Sequence, residues 1–130
     1  MVMFMRYLKE KTLYSYEVNK SVFIGIAYPV ETKEAIEKAL NNAKKEFPKA
    51  NHYCSASMIG DHQEQQTADD DGEPSRTAGV PILEVLKHHD VTNILVIVIR
   101  YFGGIKLGAG GLVRAYTKAA AEVMKSATFY

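Results

Sequence analysis

At 130 residues the chain is long enough for one domain whose core needs no disulfide or structural metal. Its 47% hydrophobic and 24% charged content is that of a globular chain, and a single cysteine, Cys54, excludes an internal disulfide and a multi-cysteine zinc site. The longest apolar run, residues 94–99, falls far short of the roughly 18 residues that cross a bilayer. Residues 1–6 (MVMFMR) lack the basic and cleavage regions of a signal peptide, so a cytoplasmic protein without a membrane partner is expected. Net charge is only +1, but it is unevenly spread. Residues 1–60 hold nine Lys/Arg against six Asp/Glu, residues 61–90 two against eight, and residues 91–130 five against one. The acidic middle and basic end either pair internally or display faces of opposite sign.

Residues 12–18 mix polar and β-forming residues and read as a half-buried strand. A turn at Asn19 and Lys20 leads to a second strand over 21–30, in which Pro29 marks an end or an edge. Thr32 is placed to cap a helix whose inward stripe is Ala35, Ile36, Ala39, Leu40, Ala43 and Phe47, and Pro48 stops it. Residues 52–59 read as a third strand. Residues 61–78 are polar, acidic and broken by Gly72 and Pro74, which predicts a long functional loop. A helix over 79–89 follows, with Thr77 as its cap and Val80, Leu83 and Leu86 facing inward. Residues 91–102 form the strongest strand, apolar on both faces and therefore central. A final helix points Leu112, Tyr116, Ala119, Val123 and Ala127 inward. The order β-β-α-β-α-β-α predicts an α+β fold, a two-layer sandwich with helices on one face of a sheet.

Two segments carry candidate chemistry. In RYFGGIKLGAGGLVRAY (100–116), Gly103, Gly104, Gly108, Gly110 and Gly111 lie between the central strand and the last helix. Free N–H groups and the positive dipole end at a helix start attract anions, and Arg100, Lys106, Arg114 and Lys118 add four cations. The segment lacks the Lys-Ser/Thr of a phosphate loop, and Val113 replaces the third glycine of a dinucleotide motif. A tight strand-to-helix connection explains the glycines equally well.

In DDDGEPSRTAG (69–79), Asp70, Asp71 and Glu73 suit a hard cation or a general acid and base, with Arg76 beside them. An EF-hand is excluded because Thr67 and Ala78 fall at ligand places. The simpler reading has Asp71 and Glu73 capping a turn or pairing with Arg100 or Arg114. Cys54 and His52, two apart on a strand, share a face, but a lone cysteine is more often a small buried residue. His62 lacks the cysteine pair of a zinc deaminase, and adjacent His88 and His89 point apart on a helix. Tyr14, Tyr16 and Tyr28 fit sheet packing better than base stacking. Neither a metal site nor a cofactor is expected.

The ordered set HYC (52–54), DDGEPS (70–75), TAGVPIL (77–83) and the glycine-rich segment resembles the N-terminal domain of the IMPACT family, to which the bacterial YigZ-like proteins belong. The resemblance spans nearly the whole chain and implies a ribosomal protein S5 domain 2-like fold over 1–130. Bacterial relatives carry a further, ferredoxin-like domain, expected to be absent here. Arg76 stands where relatives often place glycine. The family implies a translation-associated binding module contacting RNA, the ribosome or a translation-regulatory protein, since eukaryotic members bind an activator of a kinase acting on an initiation factor. The rival expectation is a metal-dependent enzyme acting on a phosphorylated small molecule or nucleotide, with Asp70, Asp71 and Glu73 holding the metal.

Overall fold

The structure, a computed structural model, describes residues 5–130. Residues 1–4, part of the opening read above for a signal peptide, lie outside the described residues. The chain forms β1 (Arg6–Tyr7), β2 (Thr12–Val18), β3 (Ser21–Pro29), α1 (Lys33–Glu46), β4 (His52–Ile59), β5 (Gln65–Asp69), α2 (Gly79–Lys87), β6 (Val91–Thr92), β7 (Ile94–Tyr101) and α3 (Gly108–Ser126). Five strands make one antiparallel sheet in the order β2-β3-β7-β4-β5, and β1 pairs in parallel with β6.

The apolar run of β7 lies at the sheet centre, as its pattern predicts. Ile94, Val96 and Val98 pack on one face with Ile82, Leu86, Leu112 and Tyr116 of α2 and α3. Leu95, Ile97 and Ile99 pack on the other with Ala39 and Ala43 of α1. All six β7 side chains are buried, each removing about 1.5–3 kcal/mol of apolar exposure. Helices therefore cover both faces, which corrects the two-layer expectation to three layers. The cause lies in β3 and β7 together: Phe23 and Ala27 point to one side, Ile24, Ile26 and Tyr28 to the other, so both sides need a cover.

The β2–β3 hairpin turns on Asn19 and Lys20, both at positive φ, which matches the twist of the flanking strands. The Thr32 hydroxyl accepts a hydrogen bond from the Ala35 N–H at 3.1 Å and caps α1 as expected. The predicted 61–78 loop instead contains edge strand β5, exposed along its length and held by its ladder to β4. The predicted 91–102 strand is interrupted at Asn93, where φ is +54° and the side-chain Oδ1 accepts the Gly60 N–H at 3.1 Å. In α2 the most deeply buried residues include Ile82, Val85 and Leu86, whereas Val80 and Leu83 are only half-buried. Thr77 does not cap α2; its hydroxyl donates to the Pro74 carbonyl at 2.6 Å. Among the described residues no helix is long and apolar enough to cross a membrane.

Candidate functional site

The acidic turn between β5 and α2 is built by its own carboxylates. Asp70 Oδ1 accepts the N–H groups of Ala78 and Gly79 at 3.1 and 2.8 Å, and Oδ2 accepts that of Arg76 at 2.9 Å. Asp70, rather than Thr77, thus satisfies the first donors of α2. Burial opposes ionisation of this carboxyl, but the N–H donors of Gly79, Arg76 and Ala78 outweigh it and hold the group below its ordinary value. Asp71 Oδ2 accepts the Tyr53 N–H at 2.7 Å, tying the turn to β4. Arg76 sits at φ +65°, a left-handed position that suits glycine better than a branched cation.

Glu73 turns inward and is 8% exposed. Arg100 Nη1 donates to both its oxygens, at 3.1 and 2.9 Å, and the Tyr116 hydroxyl donates to Oε2. His52 Nε2 lies 3.4 Å from Oε1. The other ring nitrogen, Nδ1, is 2.7 Å from the Asp71 carbonyl, which can only accept, so Nδ1 carries a proton. The contact with Glu73 is attractive when Nε2 is protonated too. Arg100 lies near the rings of Phe23 and Phe102, at 5.7 and 5.2 Å, while its buried Nε has no hydrogen-bond partner among the described residues. Glu73 thereby joins β4, β7 and α3 at one buried point.

Arg100, one of the four cations named as candidates for anion binding, is engaged by Glu73, and of the two pairings considered for that carboxylate the structure adopts this one. Asp70, Asp71 and Glu73 each face a different protein partner. Among the described residues no three His, Cys, Asp or Glu side chains are grouped to hold a metal, so the donor set of the rival enzyme reading is not assembled. The Cys54 thiol is buried and donates to the Asp70 carbonyl at 3.1 Å. Burial raises its pKa far above the ordinary value, which removes the thiolate a nucleophile needs. Burial likewise keeps the Tyr116 phenol protonated and donating.

The remaining cations divide between two hollows that share Leu107. Lys106 stands at a cleft of about 410 Å³ between the end of β7 and the first turn of α3, with Glu73 and Arg100 among its lining residues. Arg114 and Lys118 line a second groove of about 320 Å³ beside Tyr16 of β2, with Lys118 Nζ 4.9 Å from that ring's centre. Among the described residues none of these three forms a salt bridge. Leu107 touches both hollows, and α3 begins there without a side-chain cap or an acid in its first turn.

Gly103 is fixed by packing, because a Cβ there would lie 1.9 Å from the Lys20 carbonyl oxygen. Gly108, at φ +74°, is fixed by its backbone and has open space where a Cβ would be. Gly104 also borders open space, and Gly110 and Gly111 meet only Arg114 and Leu107. The loop and helix start also carry Phe102, Ile105 and Val113, three of the five exposed large hydrophobic residues among those described. Sequence reasoning placed the cationic segment but missed His52 and Tyr116 as partners of Glu73. They lie 21 and 43 positions away in sequence, and no local pattern joins them.

The Impact N-terminal domain profile matches residues 19–124. IMPACT family member YvyE of Bacillus subtilis (strain 168) is 47% identical over 115 residues, covering 88% of this chain and 53% of YvyE. IMPACT family member YigZ of Escherichia coli (strain K12) is 39% identical over 114 residues, covering 86% of this chain and 56% of YigZ. The chain thus spans about half the length of these relatives. A crystal structure described as that of a hypothetical protein superposes with a TM-score of 0.93 at 34% identity, covering 97% of this chain and 62% of that one.

Proposed function

The chain belongs to the Impact N-terminal domain family, and from that premise we propose that it is a translation-associated binding domain that works without catalysing a reaction. Its contact surface is the loop after β7 and the first turns of α3, and its partner presents phosphates, as RNA or the ribosome does. The single observation that carries this reading is the placing of Lys106, Arg114 and Lys118 at two hollows that share Leu107, unpaired among the described residues, with exposed Phe102 and Ile105 at an uncapped helix start. Cations neutralise phosphates, free helix N–H groups donate to an anion, and an exposed aromatic ring stacks on an unpaired base. The translational setting is what membership of the family implies. An acidic translation-regulatory protein is the partner if nucleic acid does not bind. The ribosomal protein S5 domain 2-like assignment goes with this reading, supported by the antiparallel sheet with α2 and α3 on one face.

The test is an anisotropy titration of labelled single-stranded RNA at several salt concentrations. Affinity should fall steeply with salt, and Lys106→Ala and Arg114→Ala should each flatten the logarithmic slope by about one unit. Binding indifferent to salt, or none at low salt, would remove the phosphate partner.

A further inference from the structure

We infer that the outer edge of the sheet at β5 is a docking site for an extended, Lys/Arg-rich segment of a partner protein, which adds to the sheet as a further strand. This surface shares no residue with the cationic one above, and the inference does not rest on that reading.

The edge itself is open. β5 stands at the end of the sheet and pairs with β4 alone, in unbroken register from Gln65 to Asp69. All five of its residues are exposed. The N–H and C=O groups on the outer side of an edge strand have no strand to bond, and they template the addition of another. Among the described residues, the backbone of residues 65–69 bonds to no other backbone group outside its ladder to β4. Proteins ordinarily guard such an edge with Lys, Pro or a bulge. β5, QQTAD, has none of them, whereas β2 at the opposite edge is flanked by Lys11 and Lys20.

The template is also fixed in place. The Ser57 and Thr67 hydroxyls share a hydrogen bond of 2.6 Å across the ladder. A Cβ on Gly79 would lie 2.5 Å from the Asp69 backbone nitrogen, so the start of α2 seats directly on the end of the strand. A partner segment therefore meets an edge that is already ordered.

Charge names the occupant. Residues 61–90 hold eight acids against two Lys/Arg, and among the described residues only Glu73 bonds a cation of the basic end, Arg100. Asp61 and Glu64 precede β5, and Asp69 and Asp71 lie at its other end. All four are exposed, and none forms a salt bridge among the described residues. Glu64, Asp69 and Asp71 accept backbone N–H groups of His62, Asp71 and Tyr53, which leaves their charge uncompensated. Negative charge thus stands at both ends of an uncharged centre, Gln65 to Ala68, and cationic side chains of an added strand meet it at each end. A second copy is the wrong occupant. Antiparallel pairing of β5 with β5 would bring Asp69 of one copy to the Gln65 end of the other, beside Glu64, and like charges would oppose it. Phosphates are repelled for the same reason.

The experiment is an amide-proton NMR titration of the full chain with the acetylated, amidated peptide KTVRVTK. Two controls are the same peptide with its Thr, Val and Arg amides N-methylated, which cannot pair its backbone, and the acidic peptide ETVEVTE. The basic peptide should give saturable shifts within Gln65–Asp69, and neither control should move these signals. Asp69→Asn combined with Glu64→Gln keeps both hydrogen-bond acceptors while removing two charges, and should weaken the peptide about tenfold. No saturation by the basic peptide, an equal response to either control, shifts that leave β5 unmoved, or unchanged affinity in the double variant would overturn the assignment.

Discussion

Replacing Glu73 with alanine isolates the interaction that joins the acidic turn to the sheet and to α3. The substitution leaves Arg100, 5% exposed, as a buried charge whose Nη1 has lost both acceptors. It also leaves the Tyr116 hydroxyl without its acceptor and His52 Nε2 without a facing carboxylate. Breaking a buried pair from one side costs about 3–5 kcal/mol, and an orphaned buried hydroxyl about 1–3 kcal/mol, with the two overlapping because they share Glu73. A net loss of about 4 kcal/mol is expected, against a total of about 5–15 kcal/mol for a domain. In urea, with a slope of roughly 2 kcal/mol per molar, the midpoint should drop by about 2 M. Adding Arg100→Met to Glu73→Ala should recover at least about 1.5 kcal/mol, because it removes the stranded charge while keeping apolar volume near Phe23 and Phe102. A single-variant loss below about 1 kcal/mol, or a double variant worse than the single, would show that water reaches Arg100 and would refute the reasoning.

Three further outcomes follow from the turn and the glycine loop. Asp70→Ala should cost about 1 kcal/mol, as loss of a helix N-cap does. Because the folded protein holds this carboxyl below its unfolded value, its contribution is complete above about pH 4 and is lost as pH falls through the folded value. Acid titration of stability should accordingly be shallower in the variant than in the native chain. Arg76→Gly should raise stability by about 0.5–1 kcal/mol in urea, since relief at φ +65° exceeds the added freedom of the unfolded chain. Gly103→Ala should lower it by about 2 kcal/mol or more, because the methyl group meets the Lys20 carbonyl, a backbone atom that must move.

The elements legible in the sequence are those whose burial leaves a period. β7 shows as six apolar residues in a row, and α1 through Thr32 and a stripe of which every member is at least half-buried. The number of layers was implicit in that same β7 pattern, since a strand apolar on both faces needs a cover on both. Edge strand β5, QQTAD, buries nothing on either face, so only its backbone pairing reveals it. The break at Asn93 comes from a positive φ and a contact to Gly60, neither of which interrupts hydrophobicity. At the site, the cationic residues could be named from sequence because they lie within one segment. Their division could not: Arg100 is drawn into the core by Glu73, 27 positions earlier, while Lys106, Arg114 and Lys118 are left outside. Carboxylates read as a cluster from their spacing are separated by the fold, because Asp70 and Asp71 bind backbone N–H groups and Glu73 alone turns inward.

Photo-crosslinking of the full chain to single-stranded RNA carrying 4-thiouridine, at low salt and with the attached peptides sequenced, tests the proposed contact surface most directly. The account predicts crosslinks within residues 102–118, on Phe102 and its neighbours, that disappear at high salt. Crosslinks confined to α1 or β5, or protein that remains uncrosslinked at low salt, would contradict it.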